Sequence, residues 1–207
     1  VIASSLTAAL TIRVAIAQSA APEAIAQGAV AKPIAHPQLF KSLILTAPAG
    51  LSDFGGDNSK NLFAQIVSIP VLDKLLYSTG IATKEGIRSF LEQRQFAQPT
   101  RVYEEIVNAY LESAQQPNAE YAALSFVRGD LSFDLSLYIQ QLTTPTAIIW
   151  GQKSQLTDPE IGRRLAQFNP QAIRIFQLLD DVGLTPQLEL PAVTIGLIRK
   201  FLPLLSS

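Results

Sequence analysis

The sequence predicts an α/β domain built on a parallel sheet. Short apolar runs at residues 43–46, 146–151 and 172–179 read as strands, each bounded by turn-forming residues. Between and after them, apolar residues recur at helical spacing, so strands alternate with helices as in a parallel sheet with right-handed crossovers. Hydrophobic residues make up 48% of the 207 and charged residues 16%, which is enough apolar material for one packed core with an inserted subdomain.

In chain order, Val1 and Ile2 look like the end of a buried strand. Leu6, Leu10 and Val14 then place a helix over residues 6–18, with Ser5 at the turn between them. Residues 19–37, punctuated by Pro22, Pro33 and Pro37, read as an extended loop. The apolar run at 43–46 stops at Pro48 and Gly50 and suits a central strand; residues 51–60, with Gly55 and Gly56, read as a loop. From 61 to about 126 the pattern becomes helical: Leu62, Ile66 and Ile69, then Leu72, Leu75 and Leu76, then Val102, Ile106 and Tyr110. Thr100 with Glu104 resembles a helix start, the acid favoured by the helix dipole. Phe63, Tyr77, Phe90, Phe96, Tyr103 and Tyr110 concentrate in this stretch, as packing between small helices or as a surface facing a ligand.

A helix is expected over 135–141, then a strand ending in a tight turn at Trp150 and Gly151. Asp158 or Thr157 caps a helix over 159–168 that opens with Pro159, a favoured first position. A strand follows over 172–179, and then a last helix over 191–205 with Ile195, Ile198 and Leu202 on one face.

Composition excludes several classes of function. The net charge is −1 and the sixteen Lys and Arg are scattered, so no basic stripe suits nucleic acid. Without Cys there is no disulfide, thiolate metal site or cysteine nucleophile, and a reducing compartment is compatible. No run approaches the roughly 20 apolar residues of a membrane span. Residues 1–20 have a leader-like apolar run, but Arg13 breaks it and no basic residue precedes it. A soluble, cytoplasmic protein is the expectation. No metal-ligand cluster or glycine-rich phosphate loop is visible, so no cofactor is expected. The chain lacks Met and starts inside a strand, so it is expected to be processed, truncated or part of a longer protein.

Three segments carry a family resemblance. Ala3-Ser4-Ser5-Leu6-Thr7 is similar to a nucleophile elbow, whose strained strand-to-helix turn favours small residues. Ala3 and Thr7 stand where that motif has glycine, and Thr7 is bulky for a tight approach. Thr144-Pro145-Thr146-Ala147-Ile148-Ile149-Trp150-Gly151-Gln152-Lys153 resembles the strand and turn that present a catalytic acid. Gly183-Leu184-Thr185-Pro186-Gln187-Leu188-Glu189-Leu190-Pro191 resembles a histidine loop leading into a last helix. In this order the segments resemble the α/β-hydrolase family, esterase- or lipase-like and with a helical cap, from the elbow to the C-terminus.

The resemblance implies a core of residues 1–50 and 127–207 and a helical cap of residues 51–126. It also implies that the first half of the sheet and the oxyanion loop lie upstream or on another chain, since a bare strand edge is normally avoided. It places the nucleophile at Ser5, the acid position at Ser154 and the histidine position at Leu184. A serine hydroxyl needs a base, and the base needs an orienting group, so two of three parts are replaced.

The one histidine, His36, precedes the strand at 43–46 and so falls at the wrong sheet edge for a site. Asp53, Asp180 and Asp181 are substitute acids with no histidine to orient, and Lys153 as a base would need burial. Two readings follow. The first is a catalytically degenerate fold used to bind a hydrophobic small molecule or a protein partner, with an apolar pocket formed by Leu184, Ser5, Phe63, Phe90 and Tyr103. The other is an active serine ester hydrolase whose missing groups come from the absent N-terminal part.

Overall fold

The computed structural model describes residues 2–4, 40–48, 77–128 and 139–206. The expectations for residues 6–37 and 51–76, and most of the helix expected over 135–141, lie outside them. Four parallel strands form one sheet in the order β1 (Ile2–Ser4), β2 (Leu43–Thr46), β3 (Thr146–Gly151) and β4 (Ile173–Leu179). Between β2 and β3 lie π-helical turns at Tyr77–Ile81 and Leu91–Gln95, α1 (Lys84–Phe90), a 3₁₀ turn at Pro99–Arg101, α2 (Glu104–Ala114) and α3 (Ala119–Arg128). Then come α4 (Pro159–Phe168) after β3, and α5 (Pro186–Glu189) and α6 (Pro191–Leu205) after β4.

Alternation along the strands makes a sheet with two apolar faces. Leu43, Leu45, Ile148 and Trp150 point to one face, where Ile161 and Leu165 of α4 cover them. Ile44, Ala147 and Ile149 point to the other, under Phe201 and Leu205 of α6. These strand residues are at most 1% exposed, and burial of each large apolar side chain contributes about 1.5–3 kcal/mol.

In β4 the period of two is broken once. Thr146 aligns with Ile173 but Ala147 with Ile175, so Arg174 is an extra, bulged residue. The bulge resets parity: Ile173, Phe176 and Leu178 face α4, while Ile175 and Leu179 face α6.

Local signals explain most boundaries. Asp158 caps α4, its Oδ1 accepting from the Glu160 amide at 2.8 Å, with Pro159 in the first turn. Gly162 lets α4 lie close on the sheet, because a Cβ there would sit 2.6 Å from the rings of Phe176 and Trp150.

Two expectations are corrected. The helix expected from Thr100 starts at Glu104, because Pro99 opens a separate 3₁₀ turn and Val102 is drawn into the insert's own core. The inward face of α6 is Thr194, Ile198, Phe201 and Leu205, whereas Ile195 and Leu202 are 51% and 43% exposed. Thr194 fits inside because its hydroxyl donates to the Pro186 carbonyl at 2.8 Å.

The insert has a small core of Ile87, Leu91, Phe96, Val102 and Val107, and Leu188 of α5 packs against it. No described helix is long and apolar enough to cross a membrane.

Asn169 joins the approaches to β3 and β4. Its Nδ2 donates to the carbonyls of Ile139 at 2.8 Å and Leu142 at 2.7 Å, and its Oδ1 accepts from the Ala172 amide at 3.1 Å. Asn169→Ala leaves these buried groups unmet and should cost about 1–3 kcal/mol. The check is a lower urea midpoint at unchanged slope; a midpoint equal to the parent's would refute this role.

Candidate functional site

Register places the ends of the strands at one sheet edge. Ser4 aligns with Thr46, Thr46 with Ile149, and Ile149 with Gln177, so the chain leaves β1, β3 and β4 at the same side. Ligands of open α/β sheets bind at this carboxyl edge. Ser5 is the next residue after β1 but lies outside the described residues, as do Phe63, His36 and Asp53.

The loop after β3 is stitched to the loop after β4. The Gln152 amide donates to Leu179 O and the Lys153 amide to Val182 O, both at 2.9 Å. Gly151 is required there, because a Cβ would collide with the Val182 and Gly183 carbonyls. Ser154 closes its own turn: its hydroxyl pairs with the Thr157 hydroxyl at 2.9 Å. Trp150 Nε1 donates to Thr157 O at 3.3 Å, which anchors the turn to the core. The Ser154 hydroxyl is thus engaged within its own loop.

Leu184 is half-buried and packs on the apolar cluster that contains Trp150 and Leu45. Its side chain offers no proton donor or acceptor. Its amide donates to Gln95 O at 2.8 Å, so the insert's backbone lies directly on this loop. Gln95 Nε2 also donates to the hydroxyls of Thr185 at 3.2 Å and Tyr110 at 2.7 Å. Phe90 and Tyr103 are 40% and 59% exposed, at the end of α1 and just before α2.

Beneath this loop lies Glu189, which the sequence reading did not select. Its carboxylate is fully buried and accepts the amides of Gly183 and Ala97, both at 2.8 Å. Burial pushes this carboxyl above its ordinary value, against the opposing pull of those amides and of Arg101. A signal was present in Leu188-Glu189-Leu190, where a lone charge stands between leucines, a position that normally demands a partner.

Asp181 gathers the charges nearby. It accepts from Gln98 at 2.8 Å, Arg101 at 2.5 Å and Lys153 at 3.1 Å. Hydrogen bonds from Gln98, Lys153 and Arg101 hold its pKa down at about 2. Lys153 is half-exposed and paired with Asp181. Among the described residues, no three His, Asp or Glu side chains converge as a metal site would require.

The structure brings the Ser154 and Leu184 loops together at the carboxyl edge. It adds Gln95, Arg101, Asp181 and Glu189 as the groups that fasten them.

No protein-family model matches the sequence, and no curated protein matches it. Solved structures do match. A serine hydrolase involved in carbazole degradation aligns with 98% of this chain and 62% of its own, at 14% identity and a TM-score of 0.66. A putative lipase from Acinetobacter baumannii aligns with 99% and 60%, at 17% identity and a TM-score of 0.64. A meta-cleavage product hydrolase from Pseudomonas fluorescens aligns with 98% and 63%, at 16% identity and a TM-score of 0.65. The chain therefore spans less than two thirds of these structures' lengths.

The charges predict a pH response. The folded pKa of Asp181, about 2, lies below the ordinary 3.8. Its contribution to stability is complete above 3.8 and is lost as pH falls through about 2. Glu189 has the opposite sign: its stabilisation is greatest below 4.5 and declines as pH rises through the raised value. Asp181→Asn should flatten the acid limb of a urea-midpoint titration, and Glu189→Gln should leave that limb in place. An unchanged limb in Asp181→Asn would contradict the assignment.

Proposed function

Because the chain has the α/β-hydrolase fold, we propose that it is a catalytically degenerate protein of this architecture, used to bind a ligand or partner. What supports this reading is the neutral chemistry of Ser154 and Leu184, the residues that the resemblance assigns to the acid and histidine positions. The Ser154 hydroxyl is spent on Thr157, and the Leu184 side chain is hydrocarbon packed on the core. On this reading Ser5 has no base to take its proton, and losing triad members costs on the order of a million-fold in turnover.

With no charge left at either position, the site favours an apolar occupant. We assign its walls to Leu184, Ser5, Phe63, Phe90 and Tyr103, with residues 51–126 as the cap and 1–50 with 127–207 as the core. A hydrophobic small molecule or a partner's apolar side chain fits that chemistry. The remainder of the fold is assigned to an upstream segment or another chain, in keeping with the neighbours' greater length.

A second reading is favoured by one residue. Ser5 follows β1 directly, and the neighbours include named serine hydrolases. If the absent part supplied a base, the protein would be an ester hydrolase acting through Ser5.

A panel of esters assayed on the full chain, with Ser5→Ala as control, separates the two. The first reading expects rates equal in parent and control; turnover abolished by Ser5→Ala establishes the second. The first reading also makes a restoration testable. Where the upstream part of the fold supplies an oxyanion hole, Ser154→Asp with Leu184→His should raise esterase activity above the parent, in a form lost on adding Ser5→Ala. No gain in a folded double variant would mean that Thr7 or the pocket has departed from a working site as well.

A further inference from the structure

Residues 95–101 of the insert cross the loop that carries Leu184. Two kinds of contact hold them there. One is backbone: the Leu184 amide to Gln95 O at 2.8 Å, and the Ala97 amide to the Glu189 carboxylate at 2.8 Å. The other is a charged cluster at the far end of the strap. Arg101 places one guanidinium nitrogen on the Asp181 carboxylate and another on the Asp181 carbonyl, both at 2.5 Å. It also lies 3.8 Å from the Glu189 carboxylate. Gln98 and Lys153 complete the set on Asp181.

We propose that Arg101 is a latch that fastens the strap of residues 95–101 over the Leu184 loop, so that breaking its grip on Asp181 and Glu189 lets the strap lift locally while the sheet stays folded. The groups facing Arg101 are Asp181 after β4, Lys153 after β3, and Glu189 of α5. A guanidinium can serve both carboxylates and a carbonyl at once because its donors form a fixed planar fork; an ammonium cannot. Arg101 is 21% exposed and Asp181 45%, so the pair is only partly shielded and its grip comes from the fork geometry and the several partners it joins.

Apart from these contacts the strap is held to the insert itself: Phe96 within it and Val102 just beyond Arg101 are buried in the insert's own core with Val107 of α2. At Gly183 a Cβ would meet the Gln95 carbonyl and the Ala97 amide, so strap and loop are in backbone contact. That closeness means lifting the strap frees the amides of Ala97 and Leu184 together, while Gly183 keeps its Glu189 acceptor. The latch is independent of whether Ser5 is a nucleophile, so its failure and the failure of the functional reading are distinguishable.

Hydrogen–deuterium exchange on the full chain tests it. Arg101→Met keeps the apolar stem and removes the fork. Exchange at Ala97 and Leu184 should accelerate about tenfold or more, the scale of a lost charge-assisted hydrogen bond, with the amides of β3 unchanged. Arg101→Lys should restore only part of the protection. Arg88→Ala, which breaks the separate cluster with Glu104 on the insert's surface, should leave the two amides at the parental rate. Unchanged exchange in Arg101→Met would overturn the latch, and so would equal acceleration in β3. If Arg101→Met does not fold, Asp181→Asn is read by the same two amides and the same β3 control.

Discussion

A carboxylate buried without solvent governs this end of the molecule. Glu189 cannot remain ionised there unless donors surround it, because an unpaired buried charge is among the costliest features a fold can hold. Its two oxygens take the amides of Gly183 and Ala97, one from the loop after β4 and one from the insert. The geometry of both is therefore set by a single side chain. Leu188, next in sequence, packs into the insert's core, so α5 ties the two parts with a polar and an apolar contact side by side.

The same constraint explains how the carboxyl-edge loops keep their shape with neutral residues at the positions compared to acid and histidine. In a Ser-His-Asp site the acid–histidine hydrogen bond itself joins the segments that carry the two residues. Here the joining is done by backbone bonds from Gln152 and Lys153, and by Asp181 with Lys153 and Arg101. On the proposed reading, neutral residues at both positions are electrostatically coherent. A histidine without its acid, or an acid without its histidine, would leave a polar group in search of a partner, whereas Ser154 and Leu184 leave none.

Much of the fold was legible because local signals agreed with the tertiary outcome. The apolar runs at 43–46 and 146–151 are buried strands, and the Asp158–Pro159 pair starts α4 where capping chemistry says it should. The failures have tertiary causes. α6 turned its Thr194 side inward, where the hydroxyl is satisfied by the Pro186 carbonyl, eight residues earlier, a contact no periodicity announces. The start of α2 moved from Thr100 to Glu104 because Val102 was needed in the insert's core and Arg101 at Asp181. At the site, the loops bearing Ser154 and Leu184 could be placed from their flanking strands. Glu189 and Gln95 could not, since the bonds that join the insert to the loop, Gln95 to Thr185 and Ala97 to Glu189, span about ninety residues of sequence and no periodicity encodes such a pairing. Arg174 was hidden likewise: a single bulged residue changes parity without disturbing the apolar count.

The proposed degenerate reading requires that Ser5 lack the base that would make it a nucleophile. Labelling of the full chain with a fluorophosphonate at neutral pH, followed by mass spectrometry of the peptide containing Ser5, measures that directly. A serine activated by a neighbouring base reacts, and an ordinary hydroxyl does not. On that reading no adduct forms at Ser5 under conditions that fully label an active serine hydrolase. A stoichiometric adduct that disappears in Ser5→Ala would contradict it and establish a working nucleophile.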